Sequence, residues 1–300
     1  MKYISLFLIA LLCSCTPSRD ESHTLHVAVL RGPSALAFAE WIENPPIVGN
    51  DTCRLQWVDS PEQMQALLVR NEADLAVLPM ISAANLYNKG MEYPLLGCPL
   101  WGTLYLVGRE NSVRPIYLFG RGTTPDILAR KALGDLEKEA FNYTFGTAGE
   151  LLQALLMQKA GTAVLSEPFL SVALRRDSTL QILKDLNRPE GQAVGGFPQT
   201  AIICRSSLEP YRETLDSLLQ QSCRYANLFP QETIDCLERA GVFAPGMLTA
   251  ESIRRCGVNY RPAAAIQEET ISFLELIQKE EPSALGGKLP EASFFNAGKP

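Results

Sequence analysis

The stretch LHVAVLRGPSALAFAEWI, residues 25–42, decides the fold. Leu25 to Leu30 is an apolar run of strand length. Arg31-Gly32-Pro33-Ser34 breaks it, and Ser34 suits the N-cap of a helix over Ala35 to Ile42. The alternation then repeats. Arg54 to Val58 reads as a second strand, Pro61 to Arg70 as a helix with Glu62 in its first turn, and Ala73 to Leu78 as a third strand. Pro79 stops that strand, and Ser82 suits the cap of a short helix over Ala83 to Lys89. Short apolar runs separated by amphipathic stretches of helical length are the pattern of a parallel α/β sheet, so this part is one βαβαβ unit. Strand-like segments follow around Glu92 to Leu96 and Trp101 to Gly108.

A second unit starts after the charged turn Arg109-Glu110-Asn111-Ser112. Pro115 to Phe119 is a strand, Gly120 to Thr124 a glycine-rich turn, and Pro125 stands at the start of a helix running to about Lys138. Phe141 to Phe145, Thr162 to Leu165, Leu180 to Leu186 and Thr200 to Cys204 read as further strands, with a helix over Ala148 to Lys159 and a loop from Asn187 to Gln199. From Ser207 on the pattern is predominantly helical. The whole reads as two α/β lobes with a helical C-terminal wrap.

The N-terminus has another character. Lys2, an apolar run from Ile4 to Leu12 and the sequence Cys13-Ser14-Cys15 form a signal peptide. The run is too short to span about 30 Å of hydrocarbon, which takes about 20 residues. Leu12 to Cys15 reads as a lipobox, so residues 1–14 are expected to be removed, Cys15 to carry the lipid, and residues 15–23 to form a polar tether. The protein is then anchored to a cell membrane and faces the periplasm or the cell exterior. The net charge of −6 argues against nucleic acid as a partner. Export places Cys53, Cys98, Cys204, Cys223, Cys236 and Cys256 in an oxidising compartment, which suggests one to three disulfides among them, in a pairing the spacing does not define.

Three loops are candidates for one binding cleft: Arg31 to Ser34, Pro79 to Ser82 and Gly120 to Thr124. In open parallel sheets such loops gather at the carboxyl ends of the strands, where helix N-termini hold polar or anionic ligands. Gly120-x-Gly122 lacks the rest of a phosphate loop or a dinucleotide fingerprint. The two histidines, His23 and His26, lie at the N-terminal edge, so no catalytic histidine or metal site is expected. Glu167 ends a buried strand and suits either a ligand amine or a helix cap. Trp101 suits either stacking on a planar ligand or filling the core.

The ordered segments Ala73 to Pro79, Gly102 to Val107, Thr124 to Leu128, Ala163 to Pro168 and Gly287 to Pro290 resemble ABC-transporter solute-binding proteins of the type II periplasmic fold. The branch is the one that includes sulfonate, taurine, nitrate and thiamine-pyrimidine-precursor binders. The resemblance implies two lobes, 24–108 plus 204–300 and 109–203, joined by crossovers near Val107 to Asn111 and Ala201 to Arg205. It implies capture of a small solute between the lobes, hinge closure without chemistry or cofactor, a monomer, and delivery to an ABC permease. Carried over by position, the cleft residues are Arg31, Ser34, Ser82, Trp101, Thr123, Thr124 and Glu167. Arg31 and Arg121 suit a sulfonate-like anion, whereas Glu167 and Trp101 suit a pyrimidine- or amine-like solute. A cofactor-dependent enzyme on the same fold and a lipoprotein with a vestigial cleft are the alternatives.

Overall fold

The computed structural model describes residues 24–110, 115–134, 140–188 and 195–295. Cys15 and the tether lie outside them. The first sheet has seven strands in the order β12-β5-β11-β4-β1-β3-β2. They are β1 Thr24–Leu30, β2 Ile47–Val48, β3 Asp51–Val58, β4 Leu75–Pro79, β5 Leu95–Leu100, β11 Thr200–Cys204 and β12 Val258–Pro262. β1 pairs in parallel with both β3 and β4, so Leu30, Val58 and Pro79 end at one edge. The second sheet has five strands, β10-β6-β9-β7-β8: β6 Leu104–Arg109, β7 Ile116–Tyr117, β8 Phe141–Asn142, β9 Thr162–Ser166 and β10 Leu180–Asp185.

The helices are α1 Ala39–Glu43, α2 Pro61–Val69, α3 Met80–Asn88, α4 Thr124–Leu133, α5 Ala148–Leu156, α6 Phe169–Arg176, α7 Arg212–Leu228, α8 Pro230–Arg239, α9 Ala250–Arg255 and α10 Gln267–Glu280. Their starts are written locally. Ser60 accepts from the Gln63 N–H ahead of Pro61, Thr147 accepts from Glu150, and Thr249 with Ser252 forms a capping box on α9. The expected caps Ser34 and Ser82 are different. Ser34 lies inside a 3-10 turn, Pro33–Phe38, and Ser82 lies inside α3, whose N-cap is Pro79. Neither hydroxyl caps a helix, which leaves both available to other partners.

The chain crosses between the sheets at residues 101–103 and again between Asp185 and Thr200. Both crossings are displaced from those expected. Val107 lies inside β6, which pairs with β9 and β10, because the chain turns into the second sheet three residues after β5 ends. Ala201 to Cys204 is a full strand of the first sheet, inserted antiparallel between β4 and β5. The lobe boundaries move accordingly.

The C-terminal region, expected to be predominantly helical, also carries a strand, β12, in the gap between two of its helices. Val258 and Tyr260 face inward and complete the sheet edge beside β5. β5 accommodates it through Gly97, where a Cβ would lie 2.6 Å from the Arg261 carbonyl oxygen and from the Tyr260 ring. The last of the described residues wrap onto α3. Asn85 Nδ2 donates to the Ala284 carbonyl at 2.8 Å and Asn88 Nδ2 to that of Leu285 at 2.7 Å. Phe294 and Phe295 are buried beneath them, and each contributes about 1.5–3 kcal/mol by leaving water.

The expected disulfides are absent among the described residues: Cys53, Cys98, Cys204, Cys223, Cys236 and Cys256 are free and buried. Five of them fill the cores on the two faces of the first sheet. Burial pushes the thiols of Cys98, Cys204 and Cys223 up to about 12, which suppresses the reactive thiolate. No helix among the described residues is long and apolar enough to cross a membrane.

Two outcomes follow from this packing. In a soluble form beginning at Thr16, Ellman's reagent should find almost no reactive thiol in the native protein and all six in unreduced, denatured protein; a lower denatured count would reveal a disulfide. Gly97→Ala should lower stability by about 1–3 kcal/mol in urea unfolding through overpacking, and an unchanged midpoint would contradict the β5–β12 contact.

Candidate functional site

The carboxyl edge of the first sheet faces the second across a cleft of about 640 Å³. All three candidate loops reach it. Arg31 to Ser34 follow β1, Pro79 and Ser82 follow β4, and Gly122 to Thr124 enter from the opposite lobe. Pro61, Glu62 and Gln65 bring the first turn of α2 to the same space. The N-terminal turns of α2, α3 and α4 therefore converge on one cavity. α3 starts without an acidic residue in its first turn, whereas Glu62 of α2 and Asp126 of α4 offset the positive ends of those helices, and the Met80 N–H of α3 already donates to the Gln199 carbonyl at 2.9 Å.

The walls between these ends are largely apolar, with Leu30, Leu78, Ile81, Leu86, Leu104 and Phe119. The charged side chains on the lining are Arg31, Glu62 and Lys89. Arg31 is already engaged: its Nε donates to Asp59 at 2.6 Å and its Nη1 to the Gly241 carbonyl at 2.8 Å. Its guanidinium holds the β1 and β3 ends together, and Asp59 balances its charge. Ser34, Ser82 and Thr124 have no side-chain hydrogen bond among the described residues, so their hydroxyls are open to a ligand.

The second lobe's loop is held from beneath. Gly120 and Gly122 take positive φ values of 68° and 77°, conformations that favour glycine. The Thr123 hydroxyl turns back to the Gly120 carbonyl. Asp126, fully buried, accepts from the Gly122 N–H at 2.7 Å, from the Tyr143 hydroxyl, and from Arg130 at 3.2 Å. Burial and this carboxylate push the Tyr143 hydroxyl up to about 12, so it stays a donor at neutral pH. Arg121 stacks on the Tyr143 ring at 4.4 Å, which withdraws its charge from the cavity lining.

Two expected contacts do not line the cavity. Glu167 is buried beside Arg255, whose Nε donates to it at 2.6 Å, and it also accepts from the N–H and hydroxyl of Ser171. Of the two roles open to it, it takes the one at the start of α6, accepting from the first-turn Ser171, and it adds a bond to Arg255 that neither role included. Trp101 donates from Nε1 to the Asn259 carbonyl at 2.7 Å, lies under Arg261, and fills the core at the first crossing.

The floor of the cleft was not anticipated. Thr103 and Gln199, one from each crossing, line it and bond each other at 3.0 Å. Behind them the buried Asn187 Oδ1 accepts from the Thr103 and Leu104 N–H groups, each at 2.8 Å, and from Gln199 Nε2 at 3.0 Å. The only signal in the sequence was the position of Asn187 and Gln199 at the two ends of a long loop. A larger open groove of about 1400 Å³ runs between α4 and α10. It opens on the first turn of α10, where Glu268 and Glu269 offset the helix end.

An ABC transporter of Parabacteroides distasonis is 50% identical to this chain, covering 90% of it and 98% of its own length, with a TM-score of 0.87. The periplasmic aliphatic sulphonate-binding protein of Escherichia coli shares the fold at 15% identity and a TM-score of 0.62, covering 84% of this chain and 87% of its own. The alkanesulfonate-binding protein of Xanthomonas axonopodis pv. citri, solved with MOPS bound, does so at 14% and 0.59, covering 89% and 94%. No protein-family model and no curated protein matches the chain. With two lobes, a cleft between them and a half-identical relative over nearly its whole length, the chain belongs to the family of that ABC transporter protein and has the fold of the periplasmic binding proteins.

Proposed function

We propose that this protein captures a small solute with an anionic head, sulfonate-like in charge and shape, and an apolar remainder, and delivers it to an ABC permease. The start of α3, which has no acidic residue in its first turn, carries this reading together with Lys89 and the open hydroxyls of Ser34, Ser82 and Thr124 on the same cleft, because a positive helix end, an ammonium and hydroxyl donors favour an anion. The apolar walls suit the rest of the molecule. The pyrimidine- or amine-like alternative depended on Glu167 and Trp101, and both are committed elsewhere.

The head group would sit between the Ser34 and Ser82 hydroxyls of one lobe and Thr124 of the other. A panel of short alkanesulfonates, carboxylates, primary amines and pyrimidines tests this by thermal shift. At a hundredfold excess over Kd a true solute raises Tm by about 5–10 °C. Anions should produce that shift, and Ser82→Ala or Thr124→Ala should weaken binding by about tenfold or more through loss of a charge-assisted hydrogen bond. A shift with amines or pyrimidines alone would overturn the anion assignment.

The anchor belongs to the same proposal. Lipid on Cys15 would keep a monomeric carrier at the membrane that holds its permease, on the outer side of the cytoplasm. Cys15→Ala should abolish incorporation of radiolabelled lipid and release the protein or leave an uncleaved precursor. Undiminished labelling would rule out the lipobox.

A further inference from the structure

The lobes also meet on a flank away from the cleft. Arg255, the last residue of α9 on the first lobe, donates from Nε to Glu167 at 2.6 Å and from Nη2 to the Ser171 hydroxyl at 3.0 Å. Its carbonyl accepts from the Tyr105 hydroxyl at 2.9 Å. Glu167, Ser171 and Tyr105 all belong to the second lobe, on the β9–α6 turn, α6 and β6 respectively. The Glu167 side chain is fully buried and that of Arg255 is 17% exposed. Arg175, also on α6, adds a bond to the Gly246 carbonyl of the first lobe.

The end of α9 is in turn fixed to the first crossing. The Gly257 carbonyl accepts from the Trp101 N–H at 3.3 Å, and the Asn259 carbonyl accepts from its indole at 2.7 Å. On the opposite flank, the ion pair between α4 and α10 is Arg130 to Glu280 at 3.9 Å, with both side chains more than a quarter exposed. A pair this long and only partly buried contributes little. A buried pair that loses one partner leaves an uncompensated charge in the interior, which is strongly unfavourable.

We infer that Arg255 is a positioning residue for the two lobes: a third, noncovalent tie beside the two crossings, which pins the β9–α6 turn to α9. The cleft then opens by rotation about this flank while the α4–α10 flank swings. The tie removes lobe arrangements that could not grip a solute, and so reduces the conformational cost of capture. That consequence rests on the capture reading proposed above. The tie itself does not, and its test uses ligand-free protein, so failure of the anion panel and failure of this inference are separate results.

Spin labels on Arg54→Cys and Lys159→Cys, exposed positions on different lobes, report the inter-lobe distance by pulsed electron resonance. The native thiols are buried and leave the labelling selective. Wild type should give one narrow distribution. Arg255→Ala should add a displaced population of more than about a tenth of the molecules. Arg255→Lys should fall between them, since an ammonium can pair with Glu167 but lacks the fork that also reaches Ser171. Arg254→Ala, at an exposed neighbour paired with Glu251, should match wild type. If Arg255→Ala does not fold, Glu167→Gln, which keeps an acceptor for Ser171 but no charge for Arg255, should show the second population instead. Superimposable distributions for wild type and the folded Arg255 or Glu167 variant would overturn the inference, as would an Arg254→Ala distribution equal to that of Arg255→Ala.

Discussion

Two stretches of chain must pass side by side between the sheets, and the buried carboxamide of Asn187 holds them together. Its Oδ1 accepts from the Thr103 and Leu104 N–H groups and from Gln199, and its Nδ2 donates to Asp185 at 2.7 Å. The packing around it leaves no room for alternatives. A Cβ on Gly102 would lie 2.8 Å from Asn187 Cγ, and one on Gly196 would lie 1.9 Å from the Trp101 carbonyl oxygen. Unsatisfied backbone groups at such a buried crossing would each cost about 1–3 kcal/mol, so one side chain that answers three donors holds the two crossing stretches side by side. The cleft inherits that pairing, because Thr103 and Gln199, one from each crossing, form its floor.

The lining follows from what the sheet edges deliver. Parallel strands in the first lobe place the starts of α2 and α3 together, and the Gly120 to Thr124 turn brings α4 from the other side. The two lobes spend their charged side chains differently. Arg31, Arg121 and Arg130 are held by Asp59, Tyr143 and Asp126, which organise the walls. In the proposed reading an anion would therefore meet Lys89 and the start of α3 rather than these three arginines.

Much of this was legible in the sequence because it is local. LHVAVL, the strand at 73–78 and the glycine-rich turn each announce themselves by period and punctuation, and the three loops they define all reach the cavity. What could not be read depends on partners far along the chain. Glu167 ends its strand as expected, but the residue that claims it, Arg255, is 88 positions away. Trp101 is claimed by Asn259, 158 positions away. The crossings were misplaced because a three-residue bend carries no composition signal, whereas the charged turn at 109–112 does. The cysteines were read from their compartment, and burial in an apolar core outweighed that reasoning.

The central claim is that one solute touches both lobes at once. Hydrogen–deuterium exchange, with and without the anion that gives the largest thermal shift, addresses it most directly. Bound solute should slow exchange at residues 31–34, 79–82 and 120–124 together. Protection confined to the loops of a single lobe, or none at these three segments, would contradict it.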